Sequence, residues 1–536
     1  MTKDKNRMTT EEIADALKLT AQLMELHNEN AFKARALANA AYKLDKTGID
    51  LEGKSLEELE KIEGIGKSIA SKIHELRTTG GLKELNVFLE RTPAGVIDMM
   101  GVKGLGPKKV ALLWKELGIE STGELLYACK ENRLITLKGF GEKTQDAVKK
   151  AIEFKMANAG KFLYASVEKY AIELVDELKK NLKTELVALT GAMRRKCEII
   201  ERIEILVGYS GEVSLPGPTP VPASIIRCDE RDFYRRLFET TAPALLPELS
   251  FPDELKNEAD IFSSNALQYI EPELRESAGI LGLARQSKIP RLIEFSDLKG
   301  ILHNHTTYSD GLNTLREMAG YCRQLGYEYL GICDHSQSAF YANGLKPERV
   351  FEQQKEIDAL NREMAPFKIF KGIESDILND GSLDYPEEVL GTFDFVVSSI
   401  HSNLKMPLEK AMGRLIKAIE NPYTTILGHP TGRLLLSREG YPVDHKKIID
   451  ACAANGVVIE LNSHPYRLDI DWRWIPYCME KGVMISINPD AHEKEGFGDM
   501  YFGVCVARKG MLTREMCFNA LSLHEIEKHL ASRKKA

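Results

Sequence analysis

Histidines and acidic residues concentrate in the C-terminal half of this chain. Ten of its twelve histidines lie at or after position 303. Seven short apolar runs in that half end in side chains that can bind a metal ion, and these ends are His303-Asn304-His305, Asp334-His335, Glu374, His401, His429, Asn462-Ser463-His464 and Asp490-Ala491-His492. Imidazole and carboxylate groups together are typical ligands of zinc and manganese. The residue types therefore indicate a site for more than one metal ion.

The spacing of these runs predicts the fold that positions them. Helix-length amphipathic stretches separate most of the runs, which is the pattern of a β/α barrel. In such a barrel the C-terminal ends of the parallel strands meet at one mouth. One histidine at a strand end is usually an ordinary hydrogen-bonded residue, but seven potential ligand positions in the same register favour a metal site.

The order of the ligands resembles that of a known family. Residues 297 to about 530 are similar to the PHP (polymerase and histidinol phosphatase) superfamily, whose nine-ligand signature matches His303, His305, Asp310, His335, Glu374, His401, His429, Asp490 and His492. The resemblance implies a distorted seven-stranded barrel that holds three divalent ions, usually Zn²⁺ or Mn²⁺, and hydrolyses phosphoesters. It also implies one ion on His303, His305, Glu374 and Asp490, a second on Glu374, His401 and His429, and a third on Asp310, His335 and His492.

The implied chemistry needs no serine or cysteine nucleophile. A water between two metal ions loses its proton near neutral pH and becomes the nucleophile. Glu374, as the bridging ligand, and Asp490 are therefore the predicted catalytic carboxylates. Arg433 and Arg467 follow strand ends and are predicted to bind the substrate phosphate, because a guanidinium can form two hydrogen bonds with it. For both arginines, a structural ion pair is the alternative.

The N-terminal third repeats a turn that could hold a phosphate. Three segments each contain Gly-apolar-Gly followed by an amphipathic helix with a lysine in its first turn. One such turn alone is a weak signal, but three copies resemble helix-hairpin-helix DNA-binding elements. Glycine lets the backbone N–H groups at a helix N-terminus approach a phosphate without reading base sequence. The predicted DNA-binding residues are Gly64, Gly66, Lys72, Gly104, Gly106, Lys108, Gly139, Gly141 and Lys143.

The segment between these two regions resembles the palm of family-X DNA polymerases, and the whole chain is similar to bacterial and archaeal members of that family. The family pattern is Gly-Ser-x-Arg-Arg followed by two aspartates one residue apart, with a third on a later strand. This chain keeps Gly191 and Arg194-Arg195, but Arg202, Glu204 and Ser224 stand at the three aspartate positions. Nucleotide transfer needs carboxylates to hold two metal ions, and a guanidinium repels them. We therefore predict a degenerate palm without polymerase activity.

The same resemblance suggests a second role for Lys72. In the family, a lysine at this place can remove a deoxyribose phosphate through a Schiff base. Here Ser68 and Glu84 stand where basic phosphate-binding residues are usual. A solvated or DNA-binding lysine is therefore the favoured interpretation.

Together the motifs predict a multidomain chain. The expected parts are an all-α N-terminal domain with the first helix-hairpin-helix (1–85), a fingers-like helical domain with the other two (86–155), a small degenerate α+β nucleotidyltransferase-like palm with a vestigial thumb (156–275), a linker (276–296) and the α/β PHP barrel (297–536). A length of 536 residues is sufficient for three or four domains.

The composition limits the possible environments. The chain is 43% hydrophobic and 28% charged with a net charge of −7, which is typical of a soluble protein without a broad basic surface. No apolar run reaches the length of a membrane span, and the N-terminus lacks a signal sequence. Nine scattered cysteines without Cys-x-x-Cys suit reduced thiols, so we expect a cytoplasmic, nucleoid-associated protein with no membrane partner.

These patterns predict a DNA-binding, metal-dependent phosphodiesterase. We expect a 3′-to-5′ exonuclease or 3′-end-processing repair enzyme that acts on gapped or 3′-ended duplex DNA. One alternative is a gap-filling repair polymerase that uses other residues, and another is a DNA-binding scaffold with an inactive barrel. The complete ligand set argues against the scaffold, and a small-molecule phosphatase would leave the hairpins unexplained.

Overall fold

The computed structural model describes residues 8–47, 51, 53–62, 64–157, 160–217, 219 and 221–533. The chain forms two compact units. One unit comprises Met1–Cys129 and Leu134–Ile152, and the other comprises Lys130–Arg133 and Glu153–Ala536.

The first unit is helical. Its helices are α1 (Thr10–Leu26), α2 (Ala31–Thr47), α3 (Leu56–Glu60), α4 (Lys67–Thr79), α5 (Lys83–Arg91), α6 (Ala94–Met99), α7 (Pro107–Leu117), α8 (Thr122–Lys130) and α9 (Glu142–Ala157), of which the last continues into the second unit. Thr9 and Glu12 form a capping box at the start of α1, because each side chain accepts a hydrogen bond from the other residue's backbone N–H. Helices α4 and α7 begin directly after Gly66 and Gly106, the second glycines of two predicted hairpins.

The second unit begins with a small α+β segment. Its elements are β1 (Phe162–Leu163), α10 (Tyr164–Leu182), β2 (Val187–Leu189), α11 (Gly191–Arg194), β3 (Ile199–Ile200), β4 (Ile203–Gly208), β5 (Ala223–Cys228) and α12 (Phe233–Thr241). A three-stranded sheet has the order β2-β4-β5, with β2 antiparallel and β5 parallel to β4. Alternate residues of β4, namely Ile203, Ile205 and Val207, share a hydrophobic core with the apolar face of α10.

A helical cluster follows this sheet. It contains α13 (Ala259–Ser264) and α14 (Ile280–Arg285) and buries apolar residues between Phe238 and Leu292. Residues 276–296, predicted as a linker into the barrel, contain α14. Ile280, Leu281 and Ala284 recur at helical spacing and bury one face of this helix.

The rest of the second unit is a barrel of parallel strands. Its elements are β6 (Gly300–Ile301), α15 (Leu315–Gln324), β7 (Tyr329–Ile332), α16 (Pro347–Met364), β8 (Lys368–Asp376), α17 (Glu387–Leu390), β9 (Phe395–Ser399), α18 (Leu408–Ile419), β10 (Ile426–Leu427), α19 (His445–Asn455), β11 (Val458–Asn462), α20 (Ile475–Glu480), β12 (Ile485–Asn488), α21 (Met500–Lys509) and α22 (Leu523–Arg533). The seven strands β6 to β12 pair in sequence order. A parallel bridge between Asn304 and Ala491 links the first strand's extension to the last, so the barrel is nearly closed. The predicted seven-stranded β/α barrel is confirmed.

Side chains alternate between two cores along the barrel strands. One core contains residues from neighbouring strands, such as Tyr329, Phe370 and Phe395. The other contains strand residues of the opposite face, such as Ile332 and Ile369, together with apolar residues of the surrounding helices. The first core therefore fills the barrel, and the second joins it to its helices. No helix among the described residues is long and apolar enough to span a bilayer.

Candidate functional site

The inner face of each strand changes from apolar residues to potential ligands at its C-terminal end. On β8, Phe370 lies in the inner core, and Glu374 follows four residues later on the same face. Beyond β9, His401 follows Phe395 at an even spacing, and beyond β7, His335 follows Tyr329 in the same way. The alternation of the strands therefore carries these ligands to the mouth of the barrel.

Two of the predicted ligands have a left-handed backbone conformation. His303 has a φ of 59° and Asp490 a φ of 54°. Each comes two residues after its strand, β6 or β12. Residues other than glycine rarely adopt this left-handed region, and such conformations concentrate at functional sites.

The structure brings all nine predicted ligands together. Three groups of side chains have ligand atoms within 4.8 Å of one another, and these groups are His303, His305, Glu374 and Asp490; His305, Asp310, His335 and His492; and His335, Glu374 and His401. The ninth residue, His429, has its Nε2 atom 3.0 Å from Glu374 Oε1. The side chains of the nine residues are 0–6% exposed.

Glu374 lies at the centre of this arrangement. Its Oε1 atom is 3.1 Å from His401 Nε2 and 3.3 Å from His303 Nε2, in addition to the contact with His429. Its Oε2 atom is 3.0 Å from His335 Nδ1. His305 Nε2 lies 3.7 Å from the same oxygen. One carboxylate thus faces five imidazoles and belongs to two of the three ligand groups, which is the position that a bridging ligand needs.

The electrostatics of the mouth favour ionised acids but affect its histidines differently. Burial alone would raise the pKa of Glu374, but the imidazoles of His401, His303 and His335 outweigh it and hold the pKa well below its ordinary value. Burial, with the nearby His492 and His335, lowers the pKa of His305 to about 4. Burial alone would lower the pKa of His401 and His492, but nearby carboxylates outweigh it and raise the pKa of each ring to about 10. These two rings must therefore release a proton when a divalent ion binds.

Several buried atoms at the mouth have no hydrogen-bond partner among the described residues. They are His303 Nε2, His305 Nδ1, Asp310 Oδ2, His335 Nδ1 and Nε2, Glu374 Oε2, His429 Nδ1 and His492 Nε2. Buried polar atoms in proteins are almost always paired. A concentration of unpaired imidazole nitrogens and carboxylate oxygens is therefore what a metal site provides, and this donor set fits Zn²⁺ or Mn²⁺.

Two buried carboxylates behind the ligands were not predicted from the sequence. Glu460 Oε2 accepts a hydrogen bond from His303 Nδ1 at 2.6 Å, and Asp376 Oδ1 accepts one from His401 Nδ1 at 2.5 Å. Each carboxylate orients a ring so that its Nε2 atom faces the other ligands. Strand alternation could have found both, because Glu460 lies two residues after Val458 of the inner core and Asp376 lies two residues after Glu374.

Asp334 organises the loop that carries Asp310. Its carboxylate accepts hydrogen bonds from the backbone N–H groups of Thr306 at 2.8 Å and Ser309 at 3.1 Å. The Gln353 side chain donates a further hydrogen bond at 2.5 Å. Asp334 ends an apolar run as the ligands do, but its oxygens are occupied in holding the loop.

The two predicted phosphate-binding arginines differ in their surroundings. Arg433 forms an ion pair with Asp471 at 2.7 Å, and it also donates to the carbonyl oxygens of Arg467 and Leu468. Arg467 is nearly buried, with its Nε atom 3.7 Å from Asp490 Oδ2. Arg433 thus matches the structural alternative, whereas Arg467 reaches the predicted ligands.

The palm-like sheet keeps the predicted neighbours together. Glu204 on β4 pairs directly with Ser224 on β5. Arg202 directly precedes β4, and its side chain is exposed. Glu204 also packs against Gly191, since a Cβ at that glycine would lie 2.1 Å from Glu204 Oε2. None of the ligand groups found among the described residues includes a residue of this sheet.

The paired arginines of the palm are already bound to acids. Arg194 forms two hydrogen bonds with Glu258, both at 2.8 Å. The fully buried Arg275 binds the same carboxylate at 2.8 and 3.0 Å. Arg195 lies 3.3 Å from Glu276. The two guanidinium groups of the palm motif are therefore already hydrogen-bonded to acids of the protein.

The three predicted hairpins share one backbone geometry. The first glycines, Gly64, Gly104 and Gly139, have φ angles of 85°, 91° and 89°, which only glycine adopts readily. The apolar residue after each of these glycines is buried. Its backbone N–H donates a hydrogen bond to the carbonyl oxygen of the residue three positions earlier, at 2.9 to 3.0 Å. Among the described residues, no heavy atom lies within 4 Å of the position that a Cβ would take at Gly66, Gly104, Gly106, Gly139 or Gly141. The turns are therefore open to an approaching phosphate.

The predicted lysines of this unit lie in different settings. Lys108 and Lys143, near the second and third turns, are exposed. Lys72 instead forms a close ion pair with Glu84. The acid that stands at an expected basic position therefore neutralises this lysine.

Family models match both ends of the chain. A model described as a helix-hairpin-helix domain matches residues 8–82, and a SAM-like helix-hairpin-helix tandem matches residues 96–153. A model described as a PHP domain matches residues 302–464. The resemblances to helix-hairpin-helix elements and to the PHP superfamily are confirmed.

Known proteins match either nearly the whole chain or part of it. A protein of Acetivibrio thermocellus named as a probable phosphatase is 29% identical over 199 residues, which cover 35% of this chain and 78% of the relative. A probable phosphatase of Thermoanaerobacter sp. (strain X514) is 26% identical over 257 residues, which cover 44% of this chain and 97% of the relative. The DNA polymerase/3′-5′ exonuclease PolX of Bacillus subtilis (strain 168) is 33% identical over 574 aligned positions, which cover 98% of this chain and 99% of the relative. Because that similarity extends over nearly the whole of both chains, this chain belongs to the PolX family, the family-X DNA polymerases that carry a PHP domain.

Proposed function

We propose that this protein is a metal-dependent phosphodiesterase that removes nucleotides from the 3′ ends of DNA. The observation that carries the proposal is the convergence of nine potential ligands on one barrel mouth, with Glu374 facing five imidazoles. The name of the Bacillus subtilis relative includes a 3′-5′ exonuclease, which supports this choice of reaction. The relatives named as probable phosphatases match only part of this chain. Phosphoester hydrolysis is the chemistry that an exonuclease and a phosphatase share.

The metal centre in this proposal holds three divalent ions, Zn²⁺ or Mn²⁺. His303, His305, Glu374 and Asp490 would hold the first, Glu374, His401 and His429 the second, and Asp310, His335 and His492 the third. When bound, such ions supply an activated water and neutralise charge on the phosphoryl oxygens.

The protein's own residues orient the ligands and the substrate. Glu460 and Asp376 hold the rings of His303 and His401 through the short hydrogen bonds at Nδ1. We assign substrate phosphate binding to Arg467, because its guanidinium lies beside Asp490 at the mouth. For Arg433 we propose a structural role, since its donors bind Asp471 and backbone carbonyls.

In this proposal the hairpins bind the DNA. Three open turns with buried central residues offer backbone N–H groups to phosphates. Lys108 and Lys143 add positive charge near two of them. We propose sequence-independent binding of gapped or 3′-ended duplex DNA, and thus a repair or end-processing role on cytoplasmic, nucleoid DNA.

An end-labelled duplex with a recessed 3′ end tests this function. With Mn²⁺, the wild-type protein should shorten the labelled strand whether or not deoxynucleotides are present. Glu374→Gln removes the central negative charge and should reduce shortening by at least about a thousandfold, since nucleophile activation and charge stabilisation both depend on the ions. Glu480→Gln, at an exposed helix end, is the matched control and should keep full activity. Undiminished cleavage by Glu374→Gln would exclude the proposed centre.

A further inference from the structure

The loop after β7 presents one aromatic ring to solvent beside the metal centre. It contains a 3-10 turn at Phe340–Ala342. Phe340 is 88% exposed, whereas Ala339 and Ala342 are buried. Tyr341 places its ring edge-on to the ring of His335, with the ring centroids 6.1 Å apart. Phe340 is therefore the chain neighbour of a side chain that packs on a predicted metal ligand.

The backbone of this loop is fixed on both sides of Phe340. Leu345 donates its backbone N–H to His335 O at 2.8 Å, and Ser338 donates its backbone N–H to Asp384 Oδ2 at 2.7 Å. The loop closes so tightly that a Cβ at Gly344 would lie 1.9 Å from a carbonyl oxygen of the same loop. A ring on such a frame loses little conformational freedom when it binds a ligand.

We propose that Phe340 stacks on a nucleobase of the DNA strand whose phosphodiester lies at the metal centre. The inference rests on the proposed exonuclease function and adds a means of distinguishing DNA from a simple phosphate ester. Every nucleobase has a flat aromatic face, so a protein ring can bind it without reading sequence. Removing such a ring is expected to weaken binding by roughly 5-fold to 100-fold.

Kinetics with two substrates test the proposal. Phe340→Ala should lower kcat/KM for a single-stranded DNA 3′ end by roughly 5-fold to 100-fold, mainly through KM. Hydrolysis of p-nitrophenyl phosphate should stay within about twofold, because this ester has no base to stack. Phe340→Trp keeps a stacking surface and should remain near wild type on DNA. Phe295→Ala is the matched control, since Phe295 is 45% exposed and precedes β6 at the opposite end of the barrel.

Binding gives a second readout that does not depend on cleavage. In the metal-loaded protein, a thymidine oligonucleotide with cleavage-resistant phosphorothioate linkages should quench the added tryptophan of the full-length Phe340→Trp protein beyond any quenching in wild type. Absence of that additional quenching would overturn the proposal.

The outcomes separate this proposal from the function on which it rests. Equal DNA cleavage by wild type and Phe340→Ala would overturn the stacking role, and so would an equal loss on both substrates, which would indicate only support of His335. Wild-type protein that hydrolyses p-nitrophenyl phosphate but not DNA would instead exclude the exonuclease, while the quenching would still report whether Phe340 stacks.

Discussion

Glu460 connects two of the predicted metal positions by holding one ligand of each. One of its oxygens accepts from His303 Nδ1 at 2.6 Å and the other accepts from the backbone N–H of His429 at 3.0 Å. Asn488 also donates to it at 2.8 Å. The side chain is fully buried and is absent from the three ligand groups. Its role is therefore to position ligands, not to bind the ion.

Glu460→Gln should weaken metal binding by roughly 10-fold to 100-fold, because outer carboxylates fix both the orientation and the basicity of a ligating histidine. Competition with a chelator, followed by titration of Mn²⁺ into the metal-free protein, measures this affinity without an activity assay. Glu480→Gln provides the exposed control. An unchanged affinity would mean that the backbone alone orients His303.

The nine ligands could be predicted from the sequence, whereas the partners of their supporting residues could not. Eight of the nine ligands end apolar runs that keep one register. The resemblance to the PHP superfamily added Asp310 and separated the ligands from Asp334 and His464, which also end such runs. Glu460 lies 157 residues from His303 in the chain, and nothing in its own segment identifies that partner. The same limit applies to Arg433, whose partner Asp471 is 38 residues away. Strand alternation identifies the face of a residue, but only the fold identifies its partner.

The DNA-binding role of the hairpin turns can be tested separately from the metal centre. Replacing Gly104 and Gly106 together by valine should weaken DNA binding by roughly fivefold to tenfold for all sequences, which corresponds to the loss of about one hydrogen bond. The φ of 91° at Gly104 and the open space at both glycines supply the reason. Fluorescence anisotropy with a labelled duplex measures the affinity.

Two controls accompany the hairpin variant. Gly81→Val changes another open glycine of the same unit outside the hairpins and should bind DNA normally. Hydrolysis of p-nitrophenyl phosphate by the Gly104, Gly106 double variant should persist, because the barrel lies in the other unit. Equal loss of both properties would indicate general unfolding.

The helical cluster after the palm-like sheet depends on one buried acid. Glu258 binds Arg194 and the fully buried Arg275 through two hydrogen bonds each. Glu258→Ala should lower the free energy of unfolding by about 3–5 kcal/mol, because it leaves a buried guanidinium without its partner. Glu248→Ala, which removes an exposed ion pair with Arg285, should cost less than about 1 kcal/mol. Chemical denaturation of both variants gives the comparison.

The stabilisation that Glu258 provides should decrease as the pH falls. Burial alone would raise the pKa of this carboxyl, but Arg194 and Arg275 outweigh it and lower the pKa below the ordinary 4.5. The stabilisation is therefore fully present above pH 4.5 and is lost as the pH falls through the lowered pKa. A stability difference between wild type and Glu258→Ala that grew on acidification would contradict this assignment.

At the scale of the whole molecule, the order of parts agrees with the PolX family while the chemistry of the middle part does not. Hairpin turns, a palm-like sheet and a PHP barrel follow one another, and similarity to the Bacillus subtilis relative covers 98% of the chain. Local residues nevertheless differ where metal-binding acids are expected. The fold of the middle part could be inferred from its neighbours in the chain, but its activity depends on individual side chains.

We predict that nucleotide addition is undetectable on a gapped duplex with either Mg²⁺ or Mn²⁺. Glu204 is the one acid at the three predicted positions, and it pairs with Ser224 in the sheet. Glu204 alone cannot supply the ligands that two divalent ions need, and the positive charge of Arg202 opposes the binding of such ions. Arg194 and Arg195, moreover, are already bound to acids of the protein. The assay should use the Glu374→Gln protein, so that exonuclease action cannot hide an extended product. Deoxynucleotide-dependent extension by that variant would show that another set of acids forms an active palm.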